Sequence, residues 1–243
     1  MYRVMNKRIL SRLGVLFALS AMLPSCFDNE VDLVGYGDAY ILVETVGQDT
    51  VKGLGLHAYS YSDFSSVVVN LNGNPAVTYT LAPYLNYTQD YVWSTPLAQY
   101  TKTLPVSGDY VFNATFAGGE SLIFYDKLTT NYINPPHITL CEYVTKKERV
   151  DLEWNDVPNA DAYNVKLIDQ QGNYLFVSQA FTSSITNYSL GTSTKGWQSE
   201  TSYPSQGQVV TVEVAAYLLE ENSGSDELQC ISKSRQNITW GSL

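Results

Sequence analysis

Residues 150–165 read Val150-Asp151-Leu152-Glu153-Trp154-Asn155-Asp156-Val157-Pro158-Asn159-Ala160-Asp161-Ala162-Tyr163-Asn164-Val165. Val150, Leu152 and Trp154 alternate with Asp151 and Glu153, the period-two pattern of a strand with one buried face. A polar turn around Pro158 follows, and Ala162–Leu167 opens a second strand. Working towards the C-terminus, Gly172–Phe181 continues as a hairpin and Asn187–Leu190 as a short strand. The long segment Gln208–Glu220 places Val210, Val212, Val214 and Ala216 on one face, and a last strand covers about Cys230–Trp240.

The same alternation recurs on the N-terminal side. It predicts strands near Ala39–Val46, Gly55–Tyr61, Val67–Leu71, Ala76–Leu81, Tyr91–Trp93, Gly108–Ala117 and Ser121–Asp126. Asn72-Gly73 reaches positive φ cheaply and marks a tight hairpin turn. Gly118-Gly119 separates two aromatic-rich strands in the same way. Seven short strands at such spacing read as a β-sandwich. No window offers a convincing helix of three turns, and no repeat period of twenty to fifty residues recurs. Pro135-Pro136 is the best break, because two consecutive prolines remove two donors and enforce extended backbone. The expected fold is therefore all-β, with two β-sandwich domains at 35–134 and 135–243.

The second half resembles the fibronectin type III module. Trp154 in Val150–Pro158 stands where that family keeps its core tryptophan, and Ala160–Val165 matches its Ala-x-x-Tyr-x-Val strand. Asn187–Leu190, Val212–Ala216 and Ile231–Ser234 follow in the family's order over about 105 residues. The chain departs from the pattern by inserting Gly191–Gly207, which contains Trp197, and by placing Val210 where a tyrosine is common. The first half resembles immunoglobulin-like modules more loosely.

Residues 1–25 are of another kind. Arg3, Lys7, Arg8 and Arg12 precede Gly14–Leu23, which is apolar apart from Ser20. A basic start with an apolar run this short is a secretory signal, since a membrane-spanning helix needs roughly 20 apolar residues. Leu23-Pro24-Ser25-Cys26 resembles the bacterial lipobox, with Pro24 in place of the usual small residue. That resemblance implies acylation of Cys26, palmitate included, and cleavage just before it, and several acyl chains make a lasting anchor. Phe27-Asp28-Asn29-Glu30-Val31-Asp32, within an acidic tether at 26–34, resembles the surface-export signal of Bacteroidetes lipoproteins. An outer-membrane protein is expected, on the cell surface or else on the periplasmic face.

Charge and residue content narrow the function. The net charge of −10 becomes −14 once the four leader cations are removed. Such a chain is repelled by phosphate backbones, which disfavours nucleic acid as a partner. Cys141 and Cys230 are a candidate disulfide in an oxidising compartment, two free thiols being the other option. His57 and His137 have no ligand-spaced neighbours for zinc. No Gly-x-Ser-x-Gly elbow, paired Cys and His, or phosphate-binding loop is present. Asp151, Glu153, Asp156 and Asp161 are the carboxylates a glycoside hydrolase would need, but they fall on exposed faces and turns. Glu220, Glu221, Asp226 and Glu227 around Asn222-Ser223-Gly224 offer hard oxygens without the spacing of a calcium loop. No catalytic residue, metal or cofactor is assigned.

Aromatic residues supply the candidate ligand-binding set: Tyr84, Tyr87, Tyr91, Trp93 and Tyr100, with Trp197 in the inserted loop. Exposed rings stack on sugars or anchor protein partners. The expected function is a lipid-anchored binding scaffold without catalysis, serving glycan uptake as an accessory. A structural or adhesive surface component contacting envelope proteins is the alternative, and a glycoside hydrolase a remote one.

Overall fold

The computed structural model describes residues 33–199, 203–221 and 227–241. The leader, the lipobox with Cys26 and the acidic stretch up to Asp32 lie outside the described residues, as do Asn222–Asp226 of the acidic loop.

Among the described residues, sixteen strands and short 3-10 turns make up the fold. The first half holds β1 (Gly35–Val46), β2 (Asp49–Ser60), β3 (Phe64–Leu71), β4 (Asn74–Thr80), β5 (Ala82–Tyr84), β6 (Tyr87–Ser94), β7 (Gly108–Phe116) and β8 (Ser121–Leu128). The second holds β9 (Ile138–Val144), β10 (Arg149–Trp154), β11 (Ala162–Ile168), β12 (Tyr174–Val177), β13 (Phe181–Thr182), β14 (Asn187–Gly191), β15 (Val209–Leu219) and β16 (Leu228–Thr239). The turn predicted at Asn72-Gly73 is a two-residue loop between Leu71 and Asn74, with φ of 51° and 67° at its two residues.

The strands form packed β-sandwich layers. A four-stranded sheet β4-β3-β7-β8 and a three-stranded sheet β14-β10-β9 both pack on one large sheet ordered β12-β11-β15-β16-β1-β2-β6-β5. In β1, Ala39, Ile41 and Val43 are fully buried towards the four-stranded sheet. A β-carbon at Gly37 would lie 2.6 Å from the Phe112 ring, so glycine is what permits the layers to close there. In the second half Trp154 is buried with its ring centroid 5.5 Å from that of Tyr163. The Tyr163 hydroxyl accepts a hydrogen bond from the Val157 amide at 2.8 Å.

Alternation tells which face a strand buries, not which strand lies beside it, and the large sheet shows the difference. Pro135-Pro136 lies between β8 and β9, where no strand runs. The two halves are nevertheless joined by more than this link. β1 and β16 pair in parallel from Ile41↔Cys230 to Glu44↔Lys233, so a single sheet runs through both. The sheet also curls. Burial raises the Tyr84 phenol on β5, and Tyr174 on β12, at the opposite end of the strand order, adds to that rise.

Candidate functional site

The face of the large sheet that turns away from the sandwich cores carries the polar chemistry. Register places Tyr36 opposite Tyr59 and Asp38 opposite His57 across β1 and β2, and Tyr59 opposite Asp90 on β6. Because side chains alternate, these residues share one face with Tyr40, whose ring covers Gly55. At the start of β1 this face opens into a groove of about 490 Å³ lined by Tyr36, Gly37, Asp38, His57, Tyr59, Tyr61 and Glu227.

Three rings build its wall. Tyr36 and Tyr59 stack with centroids 6.4 Å apart, and Tyr61 meets Tyr59 edge-on at 5.4 Å and Tyr36 edge-on at 6.5 Å. Tyr61 is 71% exposed and Tyr36 51%, so large aromatic faces remain open to a ligand. Such rings offer an apolar plane and a polar tip.

Carboxyl groups build the floor. Burial, reinforced by Asp126, Glu220 and Glu227, pushes Asp38 up to about 8, against the lowering effect of the Leu228 amide it accepts from at 3.1 Å. Burial likewise raises Asp126, although its oxygens accept from the amides of Ala39 and Lys127, each at 2.6 Å. Glu220 is hydrogen-bonded to Asp126 and pushed up to about 7, chiefly by burial. Four carboxyl groups thus meet where β1, β8 and the β15–β16 connection converge. His57 Nε2 lies 2.7 Å from Asp90 Oδ1, which fixes the imidazole beside the rings.

Farther along the same face, an ion-pair network crosses four strands. Arg235 on β16 contacts Glu44 on β1 and Glu213 on β15, each at 2.7 Å. Lys166 on β11 lies 3.6 Å from Glu213 and 5.2 Å from the centroid of the Tyr174 ring. Burial pushes the Glu213 carboxyl up, but Lys233, Lys166 and Arg235 together hold it below the usual range. Glu44 goes the other way, because burial outweighs Arg235 and Lys233.

The aromatic residues singled out in the sequence do not form one row. Tyr84 and Tyr87 are exposed on β5 and β6, while Tyr91 is buried with its ring against Phe64. Trp93 is half-buried and its centroid lies 4.6 Å from that of Tyr79. Tyr100 is half-buried over Gly53. Trp197 is half-buried among Phe176, Tyr203 and Trp240, and its indole N–H donates to the Gly191 carbonyl at 3.1 Å. The inserted loop therefore folds this ring back onto the sandwich edge.

The remaining candidates have local partners. Cys141 and Cys230 are both free thiols, on β9 and β16. They sit in different sheets, and the Cys230 sulfur accepts from the Ile133 backbone instead of bonding to the other sulfur. Asp151 is held below its usual range by Ser189, Arg149 and Lys147 despite the opposing effect of burial. Asp161 accepts from the Leu219 amide at 2.8 Å, Asp156 lies 3.5 Å from the Tyr163 hydroxyl, and Glu153 is exposed on β10. His137 is exposed beyond Pro136. Glu220 and Glu227 pair at the neck of the acidic loop through a backbone bond of 2.9 Å. No group of three or more His, Cys, Asp or Glu among the described residues is arranged to hold a metal.

His57, Tyr59 and Tyr61 fall on one predicted strand, which by itself does not reveal the groove. Tyr36 and Asp38 join them only through the β1–β2 register, and the period-two spacing of His57, Tyr59 and Tyr61 was the one available signal.

Fold and groove together describe an all-β sandwich protein with an open aromatic cleft. No family model matches the chain, and no curated protein matches it. Among solved structures it is similar to a cytokine receptor complex, at 10% identity over 85% of this chain and 98% of that one, with a TM-score of 0.33. It is also similar to the 47-kilodalton lipoprotein of Treponema pallidum, at 11% identity over 82% of this chain and half of that one, with a TM-score of 0.37. A two-domain fibronectin type III segment of chicken tenascin gives 11% identity over 84% and 97%, with a TM-score of 0.29. These likenesses are too slight to carry a ligand or partner across.

Proposed function

We propose that this chain is a non-catalytic adhesive component of a bacterial cell envelope, held to the outer membrane through acylated Cys26 and displayed on the surface. The observation that carries the adhesive reading is the groove walled by Tyr36, Tyr59 and Tyr61, whose open rings suit partner contact. Exposed, mutually packed tyrosines are the kind of anchor that dominates protein recognition. The leader, the lipobox and the acidic tether support the anchored, Bacteroidetes-type placement. The candidate catalytic carboxylates Asp151, Asp156 and Asp161 are engaged by their own neighbours, which supports binding without turnover. A glycan-binding accessory is the second reading, since tyrosine faces beside carboxyl groups also suit sugar rings.

The test joins anchoring to the groove. Intact cells carrying the chain are treated with protease and, separately, with a cross-linker. Digestion without membrane rupture, an acylated Cys26 by mass spectrometry, and a constant cross-linked protein lost on combining Tyr36→Ala with Tyr61→Ala are expected. Full protection of intact cells, or cross-links indifferent to the groove, overturns the reading.

A further inference from the structure

The groove and the carboxyl cluster beneath it form one unit, and the sign of its charge selects the occupant. Resting on the adhesive reading, we infer that the groove receives lysine or arginine side chains from a basic segment of a protein partner, held between the Tyr36 and Tyr61 rings and the carboxylates of Asp38 and Glu227.

Among the described residues no lysine or arginine lines the groove, and its histidine is engaged by Asp90. Asp38 and Glu227 face the cavity, with Asp126 and Glu220 close behind. Packing four carboxyl groups together is costly unless protons or a cation neutralise them. An arriving ammonium or guanidinium supplies that charge in place of the protons, whereas a neutral sugar supplies none. The rings add to this, since the negative face of an aromatic system attracts a cation within about 6 Å of its centroid. The net negative charge of the chain also attracts basic partners over longer distances.

The ionisable side chains around the site are Asp38, Tyr36 and Tyr40 of β1, His57 and Tyr59 of β2, and Asp90 of β6. They are joined by Tyr61, by Asp126 of β8, and by Glu220 and Glu227 of the β15–β16 connection. Entry of a cation lowers the proton affinity of Asp38 and Glu220, so protons leave as the ligand binds near neutral pH.

The experiment titrates the full-length protein calorimetrically with a tetralysine peptide, with the same peptide acetylated on every lysine, and with maltohexaose. Binding of tetralysine alone is expected, with a heat that changes with the ionisation enthalpy of the buffer. Raising salt from roughly 0.05 to 0.5 M should weaken it about tenfold. Tyr61→Ala, at a ring 71% exposed and therefore outside the core, should weaken it about threefold. Tyr125→Ala, exposed on the four-stranded sheet, should leave it unchanged. Equal binding of the acetylated peptide, or tetralysine binding that ignores Tyr61→Ala, overturns the inference. Maltohexaose bound in the groove while tetralysine is inert overturns it in favour of sugar. Groove-dependent cross-linking on cells without tetralysine binding keeps the adhesive reading and discards this one.

Discussion

Arg235 Nη1 lies 2.7 Å from Glu44 Oε2, so a residue near the end of the chain closes an ion pair with one on the first strand. The pair sits on the seam where β16 runs parallel to β1, and the same guanidinium also holds Glu213, whose side chain is 1% exposed. Removing Arg235 leaves a buried carboxylate with only Lys166 at 3.6 Å and Lys233 nearby. Arg235→Ala should therefore cost about 3 kcal/mol. Urea denaturation at neutral pH measures it, and a loss within experimental error of zero would show the network to be dispensable.

Asp38 makes stability depend on pH. Its folded carboxyl titrates near 8 against an ordinary value of 3.8, so the folded state holds the proton more tightly. The contribution is fully present below about pH 4 and is lost as pH rises through about 8. Asp38→Asn keeps an oxygen for the Leu228 amide and removes the titration. Thermal melts from about pH 5 to 9 should fall less steeply for the variant, which becomes the more stable protein at the alkaline end. Parallel curves would place the proton elsewhere.

Gly55 is the point where the Tyr40 ring lies flat against β2. A methyl group there occupies the space of the ring, and overpacking of this kind costs about 2 kcal/mol. Gly55→Ala should lower the melting temperature, and combining it with Tyr40→Ala should recover part of the loss. No recovery would mean that the clash is not with Tyr40.

Burial pushes both the Cys141 and Cys230 thiols up to about 12. Neither sulfur is a thiolate at neutral pH, and thiolate is the reactive form. A thiol reagent at pH 7.5 should leave both unlabelled in the native protein and label both in denaturant without added reductant. Labelling that requires reductant would reveal a bridge.

Much of the fold was legible because strand faces are written in alternation. Val150, Leu152 and Trp154 are buried as their spacing predicts, as are Val210, Val212, Val214 and Ala216. Asn72-Gly73 makes its predicted turn because positive φ is cheap there. β5 escaped notice because it has three residues and contains Pro83, and the parallel seam because Ile41–Glu44 reads alike beside any neighbour. The groove was half legible. His57, Tyr59 and Tyr61 stand two apart in sequence, while Tyr36 and Asp38 arrive from another strand by register. Trp197 could be read as a binding ring or a packed one because the fibronectin type III pattern has no slot for it, and Phe176 and Trp240 pack against it.

The parallel seam also sets how the molecule bears force. Where strands run in the same direction, the chain enters β1 at one end of their shared ladder and leaves β16 at the other. A pull applied to the start of β1 and the end of β16 runs along these two strands and loads the rungs in shear. They must then give way together, where a peeled hairpin would open one rung at a time.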